Sequence, residues 1–319
     1  MPDNSKKVIN FYVDANANKY QIVKRDSVRD YSVAELTILS CLDAMFRHDY
    51  YANEQNEWDV NKVIRTIMAD SLRGKMNNLS KKDEYEKLLD NTNRENENSL
   101  RMASTSYFST FMGSNSDNQD FNDLLNNFSK LRHTIRIGHI LWDAHGDRLE
   151  SVLEHIYGTM ILIMGIESEY GFKIDYNKIL QMLLVHETEE IKKGDEADLH
   201  IPHDKNLGKR IVKEIFKNEP NGEYYIGLVD EFDKHDSINS EYAHLCDKLE
   251  YLLQVKMYEL QGRYDFEHRP VNKATQSPEV LSIIENGENT VFGVHYEFDK
   301  HRFQNFPCLR RILEQAKNL

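Results

Sequence analysis

Cysteine, proline and glycine are scarce in this sequence, and each scarcity removes a class of protein. Only three cysteines occur in 319 residues, Cys41, Cys246 and Cys308, scattered and without CxxC spacing. A disulfide framework and a zinc ribbon are excluded, and the thiols read as reduced cytosolic cysteines. With 14 glycines and 6 prolines there is no GxGxxG fingerprint and no GxxxxGK[ST] loop, which removes the simple dinucleotide-binding and P-loop readings. Positive charge is short as well: 40 Lys and Arg face 53 Asp and Glu, a net charge of −13. Such a chain repels polyphosphate backbones and shows no basic run to offset that, so a nucleic-acid partner is not expected. The longest apolar stretch, Met160 to Ile166, falls far short of the ~20 residues that span a bilayer. The opening MPDNSKKVIN has no apolar core of a secretion signal. A cytoplasmic protein without membrane contact is the expectation.

What is present is a mainly α pattern. Hydrophobic residues make up 40% of the chain and charged ones 29%, and a chain this long buries roughly three quarters of its unfolded surface. Ser32 and Glu35 form a capping box, and Leu36, Leu39, Leu42, Met45 and Phe46 then recur at helical spacing. A second helix is expected over 60–72. Residues 77–123 are rich in Asn, Ser, Lys and Glu and read as an insertion or linker, with a solvated helix over 81–89 as an alternative. Dense helix comes next, over 149–170, 176–192, 206–218, 223–234 and 241–258. The β-branched and aromatic residues of 290–298 read as a short strand, and Pro307 opens a terminal helix. The expected division is a helical N-terminal region (1–128) standing outside the chemistry, a catalytic domain (129–285) and a C-terminal extension (286–319).

Chemistry-bearing residues concentrate between Arg136 and Lys248. Ile179, Met182 and Leu183 define a buried helix face that His186, Glu187 and Glu190 continue one turn on. His155 lies among Val152, Ile156, Thr159 and Met160, and Asp247 lies between Leu245 and Leu249. Inward imidazoles and carboxylates are costly unless paired or metal-bound, and two of each from three helices can close a shell around one divalent ion. Each piece alone has a plainer reading: a hydrogen-bonded core histidine, a charged helix end, a surface pair at Asp247-Lys248. His186-Glu187 opens an HExxH motif, but position 190 is Glu, so a zinc-protease site is incomplete.

Arg136-Ile-Gly-His139, Glu150-Ser-Val-Leu-Glu-His155, His186-Glu-Thr-Glu-Glu190 and Lys193-Gly-Asp195 occur in this order. Together with Ala243-His-Leu-Cys-Asp-Lys-Leu-Glu250 they resemble the HD-domain phosphohydrolases, most nearly the 5'-deoxynucleotidase-like branch, over about residues 130–280. The resemblance implies a helical bundle holding one divalent metal (Mn, Co, Mg, Fe or Zn) with His155, His186, Glu187 and Asp247. The family has Asp where Glu187 stands, and an aromatic residue where His139 stands. Glu190 and Asp195 match its acidic catalytic pair and Arg136 its phosphate-binding arginine; Lys248 is a weaker candidate for the phosphate, with a salt bridge as its other reading.

The substrate implied by the resemblance is a small-molecule nucleotide, a deoxyribonucleoside 5'-monophosphate cleaved to nucleoside and phosphate. One alternative is a deoxynucleoside triphosphohydrolase, with Lys192, Lys193, Lys205, Lys209 and Arg210 as sources of extra positive charge. Another is a regulatory module silenced by Glu187. A homodimer is the expected assembly by the same resemblance.

Overall fold

Local signals start most of the helices. The computed structural model describes residues 4–23, 31–51, 59–91, 118–195 and 206–319. Helix α1 (Asn4–Asn16) leads into an antiparallel pair of two-residue strands, β1 (Ile22–Val23) and β2 (Tyr31–Ser32). Next come α2 (Val33–Tyr51), α3 (Val60–Ser71) and α4 (Lys82–Asn91). The capping box forms as expected: Glu35 N–H donates to Ser32 Oγ at 3.2 Å and Ser32 N–H to the Glu35 carboxylate at 2.9 Å. Of the polar span 77–123, part is helix α4, and 92–117 lies outside the described residues.

After α5 (Gln119–Ser129) and the short α6 (Ile137–Leu141) comes α7 (Val152–Tyr170). A second capping box, Ser151 with Glu154, starts α7. The chain continues through α8 (Tyr176–Val185), α9 (Glu190–Lys193), α10 (Leu207–Phe216), α11 (Gly222–Lys234) and α12 (Ile238–Leu260). It closes with α13 (Pro278–Glu285), α14 (Val291–Asp299) and α15 (Pro307–Ala316).

Two expectations change. The helix read over 176–192 is interrupted: α8 stops at Val185, a turn carries 186–189, and α9 resumes at Glu190. The strand read over 290–298 is helix α14. Thr290 accepts from Gly293 N–H at 2.9 Å, and Val291, Phe292 and Val294 are buried on a face that packs on α12. A capped turn beside an apolar surface outweighs β-branched propensity, which spans only about 1 kcal/mol.

Helix α7 is the centre of the bundle. Every residue from Val152 to Glu169 is buried, because α1, α2, α8 and α12 surround it. The N-terminal helices thus share the central core with the elements carrying the chemistry: Val8, Phe11 and Tyr12 of α1 are buried, and a Cβ at Gly165 of α7 would sit 2.8 Å from the Phe11 ring. No described helix is long and apolar enough to cross a membrane.

Candidate metal centre

His155 is held in the first turn of α7, His186 caps the end of α8, Glu187 sits in the turn after it, and Asp247 lies midway along α12. One ligand atom from each of these four lies within 4.8 Å of the others. That spread is close to the span of donors around one divalent ion at roughly 2.0–2.2 Å. His186 keeps helical backbone and its N–H donates to the Met182 carbonyl, which leaves its ring beside the last turn of α8, and Glu187 follows in the turn.

Each imidazole is fixed through its remote nitrogen. His186 Nδ1 donates to the Leu183 carbonyl at 2.8 Å, which directs Nε2 at Asp247 Oδ1, 3.2 Å away. His155 Nδ1 meets Glu250 Oε2 at 2.6 Å, and its Nε2 faces the same Asp247 oxygen at 2.5 Å. Such acceptors select the tautomer that presents Nε2 as a ligand. Burial disfavours a charged His155, but Asp247 and Glu250 outweigh burial and the Arg136 charge and raise it to about 10. Burial likewise opposes ionisation of Asp247, yet His155 and His186 hold its carboxyl well below the usual carboxylate range. Two carboxylates that draw protons onto two imidazoles form a donor set that a divalent cation fits.

Glu187 faces two ways. Its Oε1 accepts from Arg136 Nη1 at 2.6 Å and lies 3.5 Å from His186 Nε2. Arg136 Nε is 3.6 Å from Asp195 Oδ2, and that oxygen also accepts the Ile137 N–H at 2.7 Å. Burial first, then the charges of Glu187 and Asp195, raise the Glu190 carboxyl to about 9. Its Oε2 is buried with no hydrogen-bond partner among the described residues. Burial also raises Asp195, against the pull of Arg136.

A cavity of about 260 Å³ adjoins this group; Arg136, Asp247, Lys248, Trp142, Tyr251 and His295 are among the residues that line it. Gly138 borders it, where a Cβ would fall 2.6 Å from the Tyr251 hydroxyl; this close approach requires the glycine of Arg136-Ile-Gly. Lys248 is engaged by Asp299 at 3.1 Å, a partner that sequence spacing did not reveal. His139 is fully buried and turned away, between Glu150 at 3.2 Å and the Tyr264 hydroxyl at 3.0 Å. Sequence reasoning gave no role to Lys19, Glu150 and Glu250, which lie behind His155. The recurrence of Glu250 three positions after Asp247 was a signal; Lys19 offered none. His200, His203 and Lys205 lie outside the described residues.

A family model described as the HD domain matches residues 128–283. A 5'-deoxynucleotidase of Dictyostelium discoideum is 33% identical over 148 residues, which cover 41% of this chain and 74% of that protein. Among solved structures, a conserved hypothetical protein from Pyrococcus furiosus is 20% identical with a TM-score of 0.45, covering 62% of this chain and 99% of that one. A Pyrococcus horikoshii protein is also 20% identical, with a TM-score of 0.44 over 61% of this chain and 97% of that one.

Proposed function

Since the chain belongs to the HD-domain family of metal-dependent phosphohydrolases, we propose that it hydrolyses deoxyribonucleoside 5'-monophosphates to nucleoside and phosphate. The observation that carries this reading is the convergence of His155, His186, Glu187 and Asp247 next to a cavity that Asp247 and Arg136 line together with Trp142 and Tyr251. A divalent ion, when held by those four residues, would supply water activation and offset phosphoryl charge.

The remaining work falls to the chain's own groups. Arg136 presents a planar fork to the phosphate, exchanging its contact with Glu187 for the substrate oxygens. Asp195 orients that fork while accepting the Ile137 N–H. Glu190, whose burial favours the protonated carboxyl, hands its proton to the leaving 5'-oxygen. Trp142 and Tyr251 offer apolar faces to the nucleoside. Lys248 lines the same cavity, with its charge shared with Asp299.

The monophosphate is favoured over a triphosphate by where the other candidate cations sit. Lys192 pairs with Glu214 at 2.6 Å, Lys193 with Glu189 at 3.4 Å and Lys209 with Asp230 at 3.2 Å, and none of these lysines lines the cavity. The test is a panel of deoxyribonucleotides and ribonucleotides assayed with Mn, Co, Mg, Fe and Zn, reading free phosphate and triphosphate separately. Phosphate release from monophosphates supports the reading. Triphosphate release replaces it with the triphosphohydrolase, and inertness on every nucleotide with every metal leaves the regulatory module.

A further inference from the structure

We propose that Lys19, in the turn after α1, is a positioning residue of the metal centre, acting through Glu250 on His155. Its ammonium is fully buried and meets three acceptors: the Glu150 carboxylate, Glu250 Oε1 at 2.9 Å and Gln254 Oε1 at 3.3 Å. An ammonium has three hydrogens to donate, so this set is complete. Glu250 divides its oxygens. Oε1 takes Lys19 and the Tyr12 hydroxyl at 2.8 Å, leaving Oε2 for His155 Nδ1 at 2.6 Å. The same lysine therefore neutralises the acceptor and sets the direction of the oxygen that aims the His155 ring.

Two independent features indicate a built site. Glu150, His155 and Glu250 bring their ligand atoms within 4.8 Å of one another, a spacing that would suit a second cation, and the lysine ammonium serves as that cation. In addition, α7 carries Gly158 where the pair approaches. A Cβ there would lie 2.0 Å from Glu250 Oε1 and 2.9 Å from Lys19 Nζ, so any larger residue would displace the contact. Lys19 also lies outside residues 128–283 that match the family model, so this support comes from the N-terminal extension of this chain.

The inference rests on the metal-centre reading, and the experiment separates the two. Metal-depleted wild-type protein, Lys19→Met, Glu250→Gln and the double variant Lys19→Met/Glu150→Gln are titrated with Co²⁺ by calorimetry and absorption, and melted thermally. The double variant removes one buried charge of each sign, and Glu250→Gln keeps the Lys19–Glu150 pair, so both are designed to fold where Lys19→Met does not. Wild-type protein should bind one Co²⁺. The double variant and Glu250→Gln should bind it about 10–100-fold more weakly, the usual scale for a group that orients a ligand, with a changed absorption band. In the double variant this loss should persist although the melting temperature recovers relative to Lys19→Met. Wild-type protein that takes up no Co²⁺ removes the metal centre and this inference with it. Variants that bind as tightly as wild type, or a double variant whose affinity recovers along with its stability, make Lys19 a structural counter-charge and overturn the inference alone.

Discussion

At Glu190, burial and two neighbouring carboxylates keep a proton on an acid that would ordinarily have lost it. Glu190→Gln keeps the shape and removes the transferable proton. Turnover should fall by roughly 100-fold or more, the scale of acid–base groups, with Co²⁺ affinity unchanged by calorimetry; loss of the metal would make Glu190 a ligand instead. Glu187 carries a different expectation because its carboxylate is shared between Arg136 and the imidazole cluster. Glu187→Ala should abolish most metal affinity. Glu187→Asp, one methylene shorter, should stay active but change which metal supports the fastest rate, read by comparing kcat across Mn, Co and Mg. The candidate residues were visible in the sequence because helical period and motif order placed them inward. The positions of Glu250 against His155 and of Asp299 against Lys248 were not, since packing between separate helices brings them together.

Among the elements, α7 shows what local reading captures and what it misses. Its apolar density predicts a helix, and the structure adds a capping box at its start and that no face of it meets solvent. A helix buried all round depends on every neighbour, and α1 and α2 supply two of them. A chain beginning at Asn118 should therefore lose cooperative folding and expose apolar surface, measured by thermal melting and dye binding. A sharp transition with intact Co²⁺ binding would show that the remaining helices suffice. The 176–192 segment carries the opposite lesson. The helical spacing of inward residues continues past Val185 through His186, Glu187 and Glu190, yet a turn at 186–189 interrupts the helix there. Residues 290–298 show propensity overridden by a Thr cap and an apolar seat on α12.

For the molecule as a whole, two partly buried histidines make stability fall in acid. Burial first, then the Lys248 charge and His139, lower His295 to about 3. Burial, then His235, lowers His244 to about 4, and its Nδ1 has no partner among the described residues. Both stay neutral in the fold while the unfolded chain takes up protons near pH 6.5. The unfolded state then binds more protons, so stability rises with pH in this window and falls as pH drops from about 6.5 towards 4. Each pKa unit is worth about 1.4 kcal/mol, which makes the loss of order 2 kcal/mol per site by pH 4.5. Melting temperatures of wild type and His295→Gln across that range should converge as pH falls; parallel curves would show that His295 protonates freely within the fold.

Composition and local pattern alone settled the helical class, most helix positions, the family likeness and the residue types of the candidate metal centre. These are set by composition, by a 3.6-residue apolar period and by short-range caps, all of which act over a few neighbouring residues. The tertiary structure decided the rest: the broken helix after Val185, the helical form of 290–298, the Arg136–Glu187 contact and the buried Lys19 between Glu150 and Glu250. Each of these joins atoms separated by long stretches of chain or depends on which apolar surface a segment meets. Such energies exist only once the bundle has closed around α7, where a desolvated charge must find its partner or the fold loses stability.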